Sequence, residues 1–113
     1  MRIHHVAFRT RDLPRLESFY ADRLGLEVMR RDGSRSVWLR AGDAILMLER
    51  AEADEPDVVP GSMEMLALEI RAEEYAEYIY RFEGKIEAET THTMYVRDPD
   101  GRRVGLSHYP LRG

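Results

Sequence analysis

The chain has 113 residues, a formal net charge of −4 and no cysteine. This length suits one domain, and the missing cysteines exclude disulfides, thiolate metal sites and cysteine nucleophiles. The acidic balance argues against a nucleic-acid partner. No apolar stretch is long enough to cross a bilayer, and the first residues enter a strand without the apolar run of a signal peptide. We therefore expect a cytoplasmic protein with no membrane partner.

The first half predicts a strand, a helix and three more strands. Residues 3–10 are rich in β-forming side chains, and Asp12 is a candidate N-cap for a helix that ends at Gly25. The buried stripe of this helix is predicted to comprise Leu13, Leu16, Tyr20 and Leu24. The next strands are predicted at 26–31, 36–39 and 44–49, with a hairpin turn at Asp32-Gly33.

The second half predicts the same order of elements. Residues 51–62 contain acidic residues and two prolines without periodicity, so we interpret them as a linker. A strand at 63–71 leads into a helix that starts near Glu73 and ends before Lys85. Its buried stripe is predicted to comprise Tyr75, Tyr78, Ile79 and Phe82. Three short strands finish the chain.

The two halves also repeat each other in sequence. Residues 3–11 align with 63–71, and residues 42–48 align with 101–106 when one residue is dropped. We therefore predict an α+β fold in which two βαβββ modules curl their mixed sheets around a shared cleft. The predicted boundaries, within a single domain over 1–113, are module 1 at about 1–50, the linker at about 51–62 and module 2 at about 63–113.

Four short motifs occur in order along nearly the whole chain. They are His5-Val6-Ala7, Asp12-Leu13 running to Phe19-Tyr20, Leu24-Gly25-Leu26, and Asp98-Pro99-Asp100-Gly101. Together they resemble the vicinal oxygen chelate superfamily, which contains glyoxalase I, fosfomycin and bleomycin resistance proteins, and extradiol dioxygenases. In the metal-dependent members, the first and closing strands of each module supply one ligand each.

Carried onto this sequence, the resemblance places those four ligand positions at His5, Met47, Met65 and Gly105. A divalent metal of this type needs imidazole and carboxylate donors, whereas a thioether is soft and glycine has no side chain. The sequence therefore predicts that the ancestral metal site is lost, with no metal and no other cofactor.

Strand alternation predicts which side chains line the cleft. The expected set is His5, Arg9, Trp38, Met47, Glu49, Met65, Glu69, Gly105 and Ser107. We expect an apolar cavity with charge only at its mouth, from Arg9, Glu49 and Glu69, which is typical of a small-molecule pocket.

Each of these positions also has a purely structural interpretation. His5 is a candidate hydrogen-bonding or catalytic acid–base group, or else a vestige paired with a backbone carbonyl. Met47 and Met65 suit an adaptable wall against aromatic ligands or ordinary core packing. Trp38 suits ligand stacking, sheet packing or a dimer interface. Gly105 either admits ligand to an open sheet surface or marks a twist.

The favoured function is metal-independent binding of a small organic ligand by a homodimer, in the manner of the bleomycin-type resistance members that the resemblance implies. The alternative is a metal-dependent glyoxalase-like lyase or isomerase, or a dioxygenase, in which His5 binds the metal with the displaced ligands Glu49 and Glu69. A third interpretation is an interaction module with a vestigial cleft. Outside the cleft, His92 is interpreted as a solvated loop histidine, and His108 and Tyr109 as possible contacts to a partner subunit.

Overall fold

The computed structural model describes residues 1–111. The chain divides into two compact units, Met1–Asp57 and Val58–Gly113, and the boundary falls inside the predicted linker. Each unit has its own sheet and its own helical segment. Among the described residues, no helix combines the length and apolar character needed to span a membrane.

Unit 1 contains one four-stranded mixed sheet and one helical segment. Its strands are β1 (His5–Thr10), β2 (Glu27–Asp32), β3 (Ser36–Ala41) and β4 (Ala44–Arg50). Their order across the sheet is β1-β4-β3-β2, with β1 parallel to β4 and the other pairs antiparallel. The helical segment between β1 and β2 consists of α1 (Leu13–Glu17) and a π-helical continuation (Ser18–Arg23).

Unit 2 repeats this topology. Its strands are β5 (Met65–Glu69), β6 (Ala88–Glu89), β7 (Thr93–Arg97) and β8 (Arg103–Ser107), in the order β5-β8-β7-β6. A 3₁₀ turn (Ala72–Glu74) leads into α2 (Tyr75–Arg81). The predicted α+β fold with two βαβββ modules is therefore confirmed.

The helix in unit 1 begins where the sequence predicts it. The Asp12 carboxylate accepts a hydrogen bond from the backbone N–H of Arg15 at 3.1 Å, so Asp12 is the N-cap. The π-helical continuation was not predicted. In it, the Leu24 N–H donates to the carbonyl of Phe19, five residues back, at 3.0 Å. Gly25 follows with φ of +82°, which ends the helix in the left-handed conformation that glycine adopts at low cost.

Each sheet has one well-buried face. In unit 1, the stripe predicted for the helix is fully buried, and α1 packs against β4. Phe8 of β1 points to the same side, with its ring 5.9 Å from the ring of Tyr20. In unit 2, Phe82 of the predicted stripe is buried, whereas its other three members are only half-buried. The buried hydrophobic residues of the strands in unit 2 are Met94, Val96, Val104 and Leu106.

The first part of the predicted linker is attached to unit 1. The Arg9 guanidinium donates to both carboxylate oxygens of Glu55, at 2.9 and 2.6 Å. Arg11 donates to the Asp57 carboxylate at 2.7 Å and to the backbone carbonyls of Glu52 and Glu55. Two arginines of β1 and its end therefore fix the path of the chain as it leaves β4.

Candidate ligand-binding site

In unit 1, the predicted cleft residues share the sheet face that points away from α1. We call this face the open face of unit 1. The β1–β4 register pairs His5 with Ile45, Ala7 with Met47, and Arg9 with Glu49. Trp38 of β3 pairs with Met47, which places its side chain on the same face. The alternation predicted from the sequence is therefore confirmed in this unit, while the functional role of these residues stays a prediction.

In unit 2, the corresponding open face carries the remaining predicted residues. The β5–β8 register pairs Met65 with Arg103, Ala67 with Gly105, and Glu69 with Ser107. The internal repeat extends to this register. Ile45 pairs with His5 and lies two residues before Met47, and Arg103 pairs with Met65 and lies two residues before Gly105. Of the four family positions, His5 and Met47 in unit 1 are thus equivalent to Met65 and Gly105 in unit 2.

The sheet surface above Gly105 is occupied. A Cβ atom built on Gly105 would lie 3.0 Å from the Met65 Cε and 3.3 Å from the Ala67 Cβ. Gly105 is correspondingly buried, although it lies on the open face. Of the two interpretations of Gly105, an open sheet surface above it does not fit, because the Met65 side chain folds across it.

The expectation that charge stands only at the mouth of an apolar cavity is also wrong. In unit 1, Arg30 of β2 pairs with Trp38, and Arg40 of β3 pairs with Ile45, so both arginines lie on the open face. In unit 2, Arg97 and Arg103 pair with each other on the open face. Alternation along β3 and β7 also places Arg40 and Arg97 on these faces, and both were missing from the predicted set of cleft residues.

Arg103 and Tyr95 form the least exposed charged feature of the open face of unit 2. The Arg103 guanidinium carbon lies 4.1 Å from the centroid of the Tyr95 ring, and its side chain is only 13% exposed. Its Nε is buried and lies 3.1 Å from the Glu87 carboxylate, in an ion-pair contact whose geometry is too poor for a well-formed hydrogen bond. Arg97 instead donates to both oxygens of Glu87, at 2.6 and 3.0 Å. This hydrogen bonding by Arg97 is the main reason that the pKa of Glu87 is lowered.

Arg9 and Glu49 line a small polar pocket in unit 1. The pocket has a volume of about 140 Å³, and its lining residues are Arg9, Asp32, Arg35, Ser36, Glu49, Arg50 and Glu52. Arg9 is held by Glu55 and lies 3.4 Å from the Glu49 carboxylate. The hydrogen bond from Arg9 lowers the pKa of Glu55 to about 2, and the same partner raises the pKa of Arg9.

Glu69 lines a separate pocket of about 390 Å³ at the end of the sheet in unit 2. The lining residues are Glu69, Ile70, Arg71, Ala72, Glu73, His108, Tyr109, Pro110 and Leu111. The His92 ring stands edge-on to the rings of His108 and Tyr109, at centroid distances of 5.1 and 5.4 Å, and it is half-buried. His92 therefore lies in a loop as predicted, but its ring packs against His108 and Tyr109 and is half-buried rather than fully solvated.

The donor groups on the open faces do not fit a divalent metal. Of the four family positions, only His5 carries a nitrogen or oxygen donor, and its Nδ1 lies 2.9 Å from the Nδ1 of His4. His5 pairs with Ile45, and the displaced ligand Glu49 lies four residues further along β4. The backbone positions of Ile45 and Glu49 are therefore about 13 Å apart. Within residues 1–111, no group of three or more histidine or carboxylate side chains is arranged to hold a metal ion.

The chain belongs to the Glyoxalase/Bleomycin resistance protein/Dioxygenase superfamily, whose family model matches residues 2–106. No curated protein sequence matches the chain. Among solved structures, it is similar to lactoylglutathione lyase from Agrobacterium tumefaciens, with 26% identity, a TM-score of 0.68 and coverage of 94% of this chain and 92% of the other. It is also similar to the fosfomycin resistance protein FosX from Listeria monocytogenes, with 15% identity, a TM-score of 0.79 and coverage of 100% and 94%. FosX from Mesorhizobium loti has 18% identity, a TM-score of 0.76 and coverage of 97% and 93%.

Proposed function

We propose that this protein binds a small organic molecule on the open faces of its sheets without the help of a divalent metal. The observation that carries this proposal is the replacement of ligands at three of the four family positions. Three of them hold Met47, Met65 and Gly105, and the Met65 methyl group packs over Gly105. Thioethers and a bare glycine give a surface that packs against apolar groups but does not coordinate a hard or borderline cation.

The side chains beside these positions suit recognition of an organic ligand. Trp38 lies next to Met47 in the register of unit 1, and Tyr95 lies next to Gly105 in that of unit 2. An aromatic ring beside a methionine or a glycine offers a flat apolar contact. Polar groups for orientation are close by, because His5, Glu69 and Ser107 share these faces.

The competing function is a metal-dependent glyoxalase-like lyase or isomerase, or a dioxygenase, in which His5 contributes to a metal site. Relatives of this fold give the specific reason to test it. One is named lactoylglutathione lyase, and one FosX structure from Listeria monocytogenes holds Mn(II) and a dihydroxypropylphosphonic acid. The donor set described above argues against this function for the present chain.

The two functions are separated by combining two measurements on protein purified without a histidine tag. Elemental analysis is expected to find no stoichiometric metal, and a thermal-shift screen of lipophilic and aromatic compounds is expected to find ligands that raise the melting temperature. Ligands found in this way are then tested on Met47→Asp, which puts a charge on the open face of unit 1. The matched control is Met29→Asp, at the partly exposed residue of the bulge in β2.

We expect Met47→Asp to abolish the thermal shift and Met29→Asp to retain it. One metal ion per chain, lost in His5→Ala, would instead support the enzyme. A screen without any stabilising compound, together with a metal-free protein, would leave only the interaction module with a vestigial cleft.

A further inference from the structure

Two guanidinium groups in unit 2, those of Arg97 and Arg103, share the carboxylate of Glu87. Arg97 takes both oxygens of Glu87, and it also donates to the backbone carbonyls of Ser62 and Gly101, at 2.7 and 3.2 Å. Arg103 is left with the stack on Tyr95 and with an ion-pair contact to Glu87 that is not a hydrogen bond. Within residues 1–111, the two terminal nitrogens of Arg103 have no hydrogen-bond acceptor.

The Arg103 guanidinium is therefore suited to binding an anion. Stacking on an aromatic ring uses the face of the guanidinium and leaves its in-plane N–H groups for a carboxylate or a phosphate. Nε is the buried nitrogen of this guanidinium, so the two terminal N–H groups are the ones that an incoming anion would reach, and hydrogen bonds between charged groups are the strong ones. The Glu87 carboxylate, whose pKa is lowered mainly by its hydrogen bonds from Arg97 and also by Arg103, is already engaged by Arg97.

A similar arrangement occurs independently in unit 1. Trp38 occupies the position that Tyr95 holds in unit 2, since each pairs with a family ligand position of its closing strand. The Arg30 guanidinium carbon lies 4.9 Å from the centroid of the Trp38 ring. In the part of the chain that the structure describes, Arg30 has no carboxylate partner. Trp38 and Tyr95 are therefore equivalent in the repeat, and each carries a stacked arginine, although Arg30 comes from β2 and Arg103 from β8.

We propose that Arg103, stacked on Tyr95, binds the acidic group of an aromatic or similarly planar organic anion, while the apolar part of that ligand packs over Met65 and Gly105. This inference rests on the proposed function and names the ligand class. The positions fit, because Met65 faces Arg103 in the register and Gly105 follows two residues later on the same face. The acidic group is recognised by charge-assisted hydrogen bonds, which the flat guanidinium makes in pairs.

Two probes of the same shape test the charge requirement. One is 2-naphthoate, and the other is its neutral analogue 2-naphthamide, with 2-naphthyl phosphate as a third compound that tells a carboxylate from a phosphate site. Isothermal titration calorimetry is expected to show tighter binding of at least one of the two anions than of 2-naphthamide. We expect Arg103→Gln to weaken binding of that anion by about tenfold or more, because hydrogen bonds to charged groups are the strong ones.

The matched control is Arg81→Gln. Arg81 also stacks on a tyrosine, at 4.8 Å from the Tyr78 ring, and pairs with a carboxylate, that of Glu77 at 2.5 Å. It lies on α2 rather than on the open face, so its replacement is expected to leave the affinity for every probe unchanged.

A second variant keeps the test decisive if Arg103→Gln does not fold. Glu87→Gln removes the carboxylate that competes for Arg103, and it is expected to raise the affinity for the anion but not for 2-naphthamide. Equal affinities for the anions and for 2-naphthamide in the unmodified protein, or no change of anion affinity in either variant, would overturn the inference and leave the proposed function standing. Binding of none of the three probes, together with a thermal-shift screen that finds no ligand, would overturn both.

Discussion

The methyl group of Met65 fills the space that a side chain at Gly105 would need. Its Cε stands 3.0 Å from the place of a Cβ on that glycine, inside ordinary contact distance. The two residues occupy the two family ligand positions of unit 2, one on β5 and one on β8. Their replacements are therefore complementary in volume, since a long flexible thioether lies over the one residue that has no side chain.

This relationship predicts the outcome of filling the position. Gly105→Leu is expected to lower the free energy of unfolding by about 1–3 kcal/mol, because Met65 and Ala67 crowd the new side chain. In a Met65→Ala background the same change is expected to cost much less. Urea denaturation of the four proteins of this double-mutant cycle measures the coupling. Equal costs in both backgrounds would show that Met65 does not limit the space above Gly105.

Divalent metals are expected to leave the protein unaffected. Three of the four family positions lack a suitable donor, so nickel, zinc, manganese and iron should not raise the melting temperature. Thermal-shift titration with each ion measures the melting temperature, and elemental analysis of untagged protein measures the bound metal. Stabilisation by one ion per chain that disappears in His5→Ala would contradict this prediction.

A homodimer is expected in solution. Each sheet ends in strands that have a partner on one side only within their own unit, and such edges favour pairing with another sheet or chain. Sedimentation equilibrium at micromolar concentration is expected to give twice the mass of the 13.2 kDa chain. A mass equal to one chain over the whole concentration range would argue for a monomer.

The Arg9–Glu55 contact is expected to make the protein sensitive to acid. The pKa of Glu55 is lowered from its ordinary 4.5 to about 2, so the folded state holds its proton less tightly than the unfolded state. The stabilisation is complete above the unfolded pKa near 4.5 and disappears as the pH falls towards 2. Melting temperatures of the unmodified protein and of Glu55→Gln should therefore differ most at neutral pH and converge near pH 2. Because the pair is at the surface, we expect a small difference.

The control for this experiment is Asp54→Asn. Asp54 lies next to Glu55, but no hydrogen bond or salt bridge of its side chain is present among the described residues. Its replacement is expected to leave the difference between pH 7 and pH 3 unchanged. A Glu55→Gln protein that retains the full acid response of the unmodified protein would mean that Arg9 does not lower the pKa of Glu55.

The elements of the fold could be predicted because their local signals agree with the packing. Asp12 caps the first helix and Gly25 ends it, as their chemistry indicates, and alternation assigns faces to β1, β4, β5 and β8. The π-helical turns were not predictable, because an apolar stripe looks much the same whether its hydrogen bonds reach four residues back or five.

The candidate site was predicted only in part for a related reason. Alternation shows which side chains share a face, but it does not show how long side chains bend once they are there. Three contacts depend on side-chain conformation. Met65 lies across Gly105, Arg103 stacks on Tyr95, and Arg9 donates hydrogen bonds to Glu55. Glu55 also comes from a stretch without periodicity, so no sequence signal placed it beside β1.

The π-helical continuation over Ser18–Arg23 has a consequence for counting positions in this family. Each wide turn holds about one residue more than a regular α-helical turn. Within this segment the neighbours Phe19 and Tyr20 are both buried, at 6% and 0% exposure. A family member whose first helix is α-helical throughout is expected to have a shorter segment between its N-cap and its terminal glycine. Any alignment that omits a gap here will shift every later position of the module, including the closing strand.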